Sequence, residues 1–201
     1  MPKTGGTSIE TALGMMRPWQ CEDQETMFGL IQSPNLLEKM LQTAFLQHLT
    51  WAELEAIKPS YCSGNYFSFA WVRNPWDRMV STFARKDPHM IAAAKVEGIN
   101  LEKMSFVEFV EATTSFEHVH LRPQSDFIFD KSGQLQVDFI GRYENFQSDF
   151  KTLCQHLNID VELPHKNSSV HASYKSFYND ILYQQIQRKY EIDFALLGYS
   201  Q

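Results

Sequence analysis

Two groups of residues in this sequence have the types and the spacing for chemistry. The first is Lys3-Thr4-Gly5-Gly6-Thr7-Ser8, which sets a cation, paired glycines and hydroxyls just ahead of an apolar helical pattern at Ile9, Leu13 and Met16. The second, far along the chain, is Arg73-Asn74-Pro75-Trp76. Adjacent glycines let the backbone turn tightly and bring successive N–H groups toward a ligand. A helix starting at Thr7 or Ser8 aims its unsatisfied N–H groups and its positive dipole end at the same point. That combination describes an anion site, for which phosphate or sulfate is the usual occupant. It is not the nucleotide loop G-x-x-x-x-G-K-[ST], in which lysine follows the last glycine. Here Lys3 precedes both glycines.

The elements that must position these residues are legible in outline. Ser8 to about Met16 reads as a helix behind the loop, bounded by Gly14 and Pro18. Arg17 to Leu36 has no clear periodicity and reads as a long loop; Leu36 to Leu46 is helical in pattern. Thr50 and Glu53 form a capping-box pattern, so a short helix starts there and His48 falls in an exposed connection before it. Tyr66 to Val72 is a continuous apolar and aromatic run, the pattern of a strand buried on both faces of a parallel sheet. Arg73 ends it, and Pro75 opens a helix through Ala84. A strand, a turn and a helix in that order put ligands at the carboxyl end of the strand. The planar donor fork of Arg73 suits a phosphate, and Ser81 on the helix adds a hydroxyl. Taken alone, the two read as a salt-bridge residue and a surface residue; beside the Lys3–Ser8 group they read as a second anion contact. Arg78, on the same helix, reads as structural.

Farther on, Arg85 to Asn100 reads as a polar loop with some helical stretches, and Ser105 to Ala112 as a helix burying Phe106, Phe109 and Val110. His118 and His120 alternate as metal ligands on a strand face would, but no third ligand lies at zinc-like spacing, so no metal is expected. Phe127–Phe129 and Val137–Ile140 flank a hairpin-like turn at Asp130-Lys131-Ser132-Gly133. Gly141-Arg142-Tyr143-Glu144-Asn145 then leads into a helix from about Phe146 to Leu157, with Arg142 and Glu144 expected as a buried ion pair. Tyr178 to Tyr190 reads as a helix.

Bulk properties narrow the classes. At 201 residues, 43% hydrophobic and 21% charged, the sequence fits one ordinary domain spanning 1–201. A formal net charge of -6 argues against general nucleic-acid binding. No apolar run approaches the roughly 20 residues of a membrane-spanning helix, and no signal peptide is visible. The three cysteines are widely spaced and form no CxxC, which predicts reduced thiols and a cytoplasmic setting.

Lys3 to Ser8, read with Val72-Arg73-Asn74-Pro75-Trp76-Asp77-Arg78 and Val80-Ser81, resembles the sulfotransferase superfamily. The likeness is nearest to the carbohydrate-type branch that includes heparan sulfate 2-O-sulfotransferase and small bacterial members. It extends to Gln47-His48-Leu49-Thr50, Arg122-Pro123-Gln124 and Asp138 to Asn145. The resemblance implies a single α/β, P-loop-like domain with a central parallel sheet flanked by helices. It implies 3′-phosphoadenosine 5′-phosphosulfate (PAPS) as co-substrate and a hydroxyl-bearing acceptor, expected to be a carbohydrate. Lys3, Thr4, Gly5, Gly6, Thr7 and Ser8 would cradle the 5′-phosphosulfate, with Lys3 also catalytic; Arg73 and Ser81 would hold the 3′-phosphate. His48 matches the position of the family's proposed base, with His118 or His120 next in line. His120, Arg122 and Gln124 would lie near the acceptor, and Lys166, Asn167 and Ser168 would cover the nucleotide. Such a loop normally follows a buried strand, yet only Met1 and Pro2 precede Lys3, so the first strand is read as lacking. Two rivals remain: a nucleotide-binding protein of the same fold without strong catalysis, and a small-molecule kinase, which the lysine order opposes.

Overall fold

The computed structural model describes residues 1–15, 30–32, 43–45, 48–164 and 173–200. In chain order the elements are α1 (Gly6–Ala12), β1 (Leu30–Gln32), β2 (Thr43–Phe45), α2 (Trp51–Ile57), β3 (Phe69–Val72), α3 (Pro75–Arg85), α4 (Pro88–Val96), α5 (Phe106–Ala112), α6 (Ser125–Ile128), β4 (Phe139–Arg142), α7 (Phe146–Leu157), α8 (Asp180–Lys189) and α9 (Glu191–Leu197). They fall into two compact units, Met1–Val72 with Asp126–Asn167 and Arg73–Ser125 with Ser168–Gln201.

The first unit is built on a parallel pair. β3 runs beside β4 with Phe69 opposite Phe139 and Trp71 opposite Gly141. Trp71 is buried among Ile9, Phe150, Leu153, Cys154 and Leu163, with Phe69, Phe139 and Phe146 packed against them. Its indole lies across Gly141, where a β-carbon would run into the ring, so only glycine lets this aromatic fill the sheet face. At the start of the pair the Asp138 carboxylate accepts both the N–H (2.7 Å) and the hydroxyl (2.8 Å) of Ser68, from seventy residues away. Those bonds hold the Asp138 carboxyl below its ordinary range.

The parallel sheet is smaller than the sequence predicts. Among the described residues it has two strands, β3 and β4; β1 and β2 form a separate antiparallel pair. The expected strand from Tyr66 starts only at Phe69, because Tyr66 and Phe67 are exposed and Asp138 captures Ser68 just before the ladder. The helix expected over Leu36–Leu46 is overturned at its end, where Thr43–Phe45 pairs as a strand; 33–42 lie outside the described residues. Phe127 and Ile128 belong to a helical turn rather than a strand, and only Phe129 bridges Leu135 across the Asp130 turn. The second strand accordingly sits at Phe139–Arg142, not Val137–Ile140. Glu144 is exposed, so the ion pair expected to be buried with Arg142 is not buried.

The second unit is helical. Trp76, Met79 and Val80 of α3 are buried with Phe106, Phe109 and Val110 of α5, Phe116, and Leu182, Ile186 and Tyr190 near the carboxyl end. Each such side chain contributes about 2 kcal/mol by leaving water. α4 occupies most of the stretch that reads as a polar loop. Pro88 takes its first position, and the Asp87 carboxylate accepts the N–H groups of His89 (3.0 Å) and Met90 (3.2 Å). The cap starts a helix that buries Met90 and Ala94, four apart. The predicted capping box at Thr50–Glu53 is found, and Pro75 opens α3 as expected.

Gly141→Ala is expected to destabilise the protein by about 1–3 kcal/mol, the cost of overpacking a filled core. Chemical denaturation of the two proteins measures it; equal midpoints would mean that Trp71 moves aside freely.

Candidate functional site

The candidate residues occur in both units. In the first unit the loop owes its shape to two left-handed residues, Lys3 at φ 66° and Gly5 at φ 92°, on either side of Thr4. At Gly5 glycine is required twice, by that φ and because a β-carbon would lie 2.7 Å from Cε2 of Phe146. A lysine held in this region costs about 1 kcal/mol or more, and such residues persist where the surroundings fix them and a ligand uses the shape.

α1 begins at Gly6, before the predicted Thr7, because Gly5 acts as its N-cap. The Gly5 carbonyl accepts the N–H of Ser8 at 3.0 Å and of Ile9 at 3.4 Å. The N–H groups of Gly6 and Thr7 come before any intrahelical acceptor. Thr7 is exposed, and Lys3, Gly6 and Ser8 are half-buried. Thr4 differs: it is buried, and its hydroxyl donates to the Met1 carbonyl at 3.1 Å. Its side chain therefore braces the loop from within. His48, also in this unit, is half-buried rather than exposed, two residues before the Thr50 cap of α2.

In the second unit Arg73 immediately follows β3 and is 5% exposed. Asn74 caps α3, its side-chain oxygen accepting from the N–H groups of Trp76 (3.0 Å) and Asp77 (3.4 Å), and Pro75 fixes the first turn. Asp77 and Ser81 lie four apart on α3, and Arg73, just ahead of the helix, reaches Asp77. The Arg73 Nε–H donates to Asp77 at 2.7 Å, so the salt-bridge role is real and fixes one edge of the guanidinium. Ser81 is 7% exposed, which removes the surface reading. Arg78 is structural, as expected: it donates to the Arg122 carbonyl at 2.7 Å and lies over the Tyr190 ring.

The residues expected near the acceptor are placed unequally. Arg122 is half-buried. His120 is buried, and its backbone N–H donates to Nδ1 of His118 at 3.3 Å; the two sit in a 3-10 turn, not on a strand. Gln124 has no exposure at all. Its amide oxygen accepts the Arg73 N–H and its amide nitrogen donates to the Arg73 carbonyl, each at 2.8 Å. Lys166, Asn167 and Ser168 lie outside the described residues. Sequence reasoning missed Asp77, which its spacing of four from Arg73 could have revealed, and Asp193, for which no local pattern gives a signal.

Among the described residues no group of three or more His, Cys, Asp or Glu is placed to hold a metal ion, and no helix is long and apolar enough to cross a membrane. A model for the Sulfotransferase family matches residues 1–200. The chain belongs to that family. No curated protein and no solved structure matches the chain. Sulfuryl transfer to an acceptor hydroxyl is the general chemistry of a sulfotransferase. The donor set around Lys3, with a cation, hydroxyls and N–H groups in one turn, fits an anionic sulfuryl donor.

His118 supplies a pH test. Burial pushes its imidazole down to about 4, against the opposing pull of Asp87 and with the help of His89 and Arg122. The folded protein thus keeps this ring neutral, whereas the unfolded chain protonates it near 6.5. Its contribution is whole above about pH 6.5 and is lost as pH falls toward 4. His118→Asn retains an acceptor for the His120 N–H but cannot titrate. Between pH 7 and 4 the parent should lose more unfolding free energy than the variant, by up to about 3 kcal/mol. Parallel denaturation curves in a pH series measure this, and identical pH slopes would exclude it.

Proposed function

We propose that this protein transfers the sulfuryl group of PAPS to a hydroxyl of a carbohydrate acceptor. The observation that supports this most is the family match across residues 1–200. In this reading the two units are parts of one sulfotransferase domain. PAPS, when bound, supplies the activated sulfuryl group. Lys3 and the N–H groups of Thr4 to Thr7 hold the 5′-phosphosulfate, and Thr7 and Ser8 add hydroxyls. The strained Lys3 backbone supports this role, since it sets the lysine in a turn beside the first N–H groups of α1. Arg73 and Ser81 hold the 3′-phosphate; the burial of both suits a fixed, desolvated contact.

His48 is the base in this scheme. A sugar hydroxyl is a weak nucleophile at neutral pH, and an imidazole takes its proton as the sulfuryl group arrives. Negative charge then grows on the departing phosphate, where the Lys3 ammonium and the loop N–H groups stabilise it as an oxyanion hole would. His118 fits the base role poorly, because burial disfavours its protonated form and so weakens it as a proton acceptor, and its Nδ1 already accepts a backbone N–H. The free thiols of Cys62 and Cys154 suit a reducing, cytoplasmic setting.

Transfer of labelled sulfate from PAPS across a panel of glycans tests the whole reading, and a silent panel with tight adenosine 3′,5′-bisphosphate binding would favour a binding protein. Calorimetry should show that bisphosphate binding more tightly than ATP; the reverse order would point to a kinase. Lys3→Ala should lower kcat by about tenfold to a thousandfold, as loss of a preorganised charge partner does. An unchanged rate removes Lys3 from the mechanism. His48→Ala should abolish transfer while nucleotide affinity stays near the parent's, and the same result for His120→Ala instead would move the base there.

A further inference from the structure

Resting on the reading of Arg73 as the 3′-phosphate contact, we infer that Gln124 and Asp193 form a buried brace that positions Arg73, and that Gln124 does not meet the acceptor. The β3–β4 ladder ends at Val72 opposite Arg142, so the Arg73 peptide lies one residue past its last paired position. Gln124 takes over there. Its side-chain amide gives the Arg73 backbone one acceptor and one donor, both at 2.8 Å, the double pairing that a neighbouring strand would supply. Because both ends of the amide are engaged, the side chain cannot turn without breaking both bonds.

Asp193 of α9 holds the next link. It is wholly buried, and its two carboxylate oxygens accept the N–H groups of Gln124 (2.8 Å) and Ser125 (2.7 Å). The Gln124 amide nitrogen also lies 3.5 Å from the same carboxylate. Hydrogen bonds to a buried carboxylate are short and strong, and they fix the backbone that carries Gln124. Asp77 secures the Arg73 side chain at Nε, so the guanidinium is set from two directions. A phosphate contact works only when its fork is in place, and a misplacement of about 1 Å can cost a hundredfold. Gln124 and Asp193 are positioning residues, acting through Arg73.

The readout is the ratio of affinities for adenosine 3′,5′-bisphosphate and adenosine 5′-monophosphate, measured by calorimetry on the full chain. Only the first ligand carries the phosphate assigned to Arg73. Gln124→Met keeps length and burial but loses both bonds, and the ratio should fall about tenfold while monophosphate affinity stays near the parent's. Asp193→Asn should lower the ratio in the same direction. Should Gln124→Met fail to fold, Gln124→Asn stays neutral and polar but is one methylene too short to keep both bonds to the Arg73 backbone, and the ratio is read on that variant. Arg73→Ala is the reference. If it lowers the ratio and the Gln124 variants do not, the brace is refuted while the nucleotide reading stands. If Arg73→Ala leaves the ratio unchanged, the assignment of Arg73 fails and takes the brace with it. Equal losses for both ligands in the Gln124 variants would show a general scaffold role and overturn the proposal.

Discussion

A carboxylate in a protein interior must be surrounded by donors, and Asp193 meets that demand with the N–H groups of two consecutive residues, Gln124 and Ser125. Stranding such a group costs several kcal/mol, so the segment Gln124–Ser125 and the start of α9 hold each other in one arrangement. Trp76 extends the same constraint. Its ring lies 4.3 Å from that of Phe194, its indole N–H donates to the Tyr183 carbonyl, and its own carbonyl accepts the Tyr178 hydroxyl. The head of α3, where Arg73 sits, is therefore fixed by three stretches of chain that are remote in sequence.

The first unit uses shape where the second uses polar bonds. Trp71 needs the bare backbone of Gly141, and the Lys3 loop needs the bare backbone of Gly5 against Phe146. Phe146 also packs edge-on to Trp71 at 5.9 Å. One aromatic cluster thus sets both the register of the parallel pair and the course of the loop. Core packing at native density leaves little slack, which is how a short turn can keep a lysine in an unfavourable backbone region.

Much of this was legible in the sequence wherever the signal was local. The capping box at Thr50–Glu53, the helix opened by Pro75, the apolar face of α5 and the bounds of α7 depend on residues within a turn of each other. The failures have two causes. α4 was hidden because Asp87–Pro88 is a helix start followed by a mixed face with only two buried positions. The strands were misjudged because side chains distant in sequence decide their ends, as Asp138 does for Ser68. At the candidate site the residue types in the Lys3 loop and at Arg73 were readable, but their support was not. The family resemblance implies that Gln124 lies near the acceptor, and the fold adds that its amide is engaged with the Arg73 backbone. Asp193 is one acidic residue in a short amphipathic helix, with nothing nearby to mark it.

Neither unit is continuous in sequence, and this has a consequence for the order in which the protein can be made. During synthesis α3 and α5 leave the ribosome well before Leu182, Ile186 and Tyr190, the residues that complete their core. β3 likewise waits for β4, its parallel partner across a long intervening stretch. Domains generally fold as units while the chain grows, but here each nascent half emerges with apolar surface that only later segments can cover. The mature state is reached after the last helix is released, so a stalled or prematurely ended chain would be a target for chaperones rather than a smaller working protein.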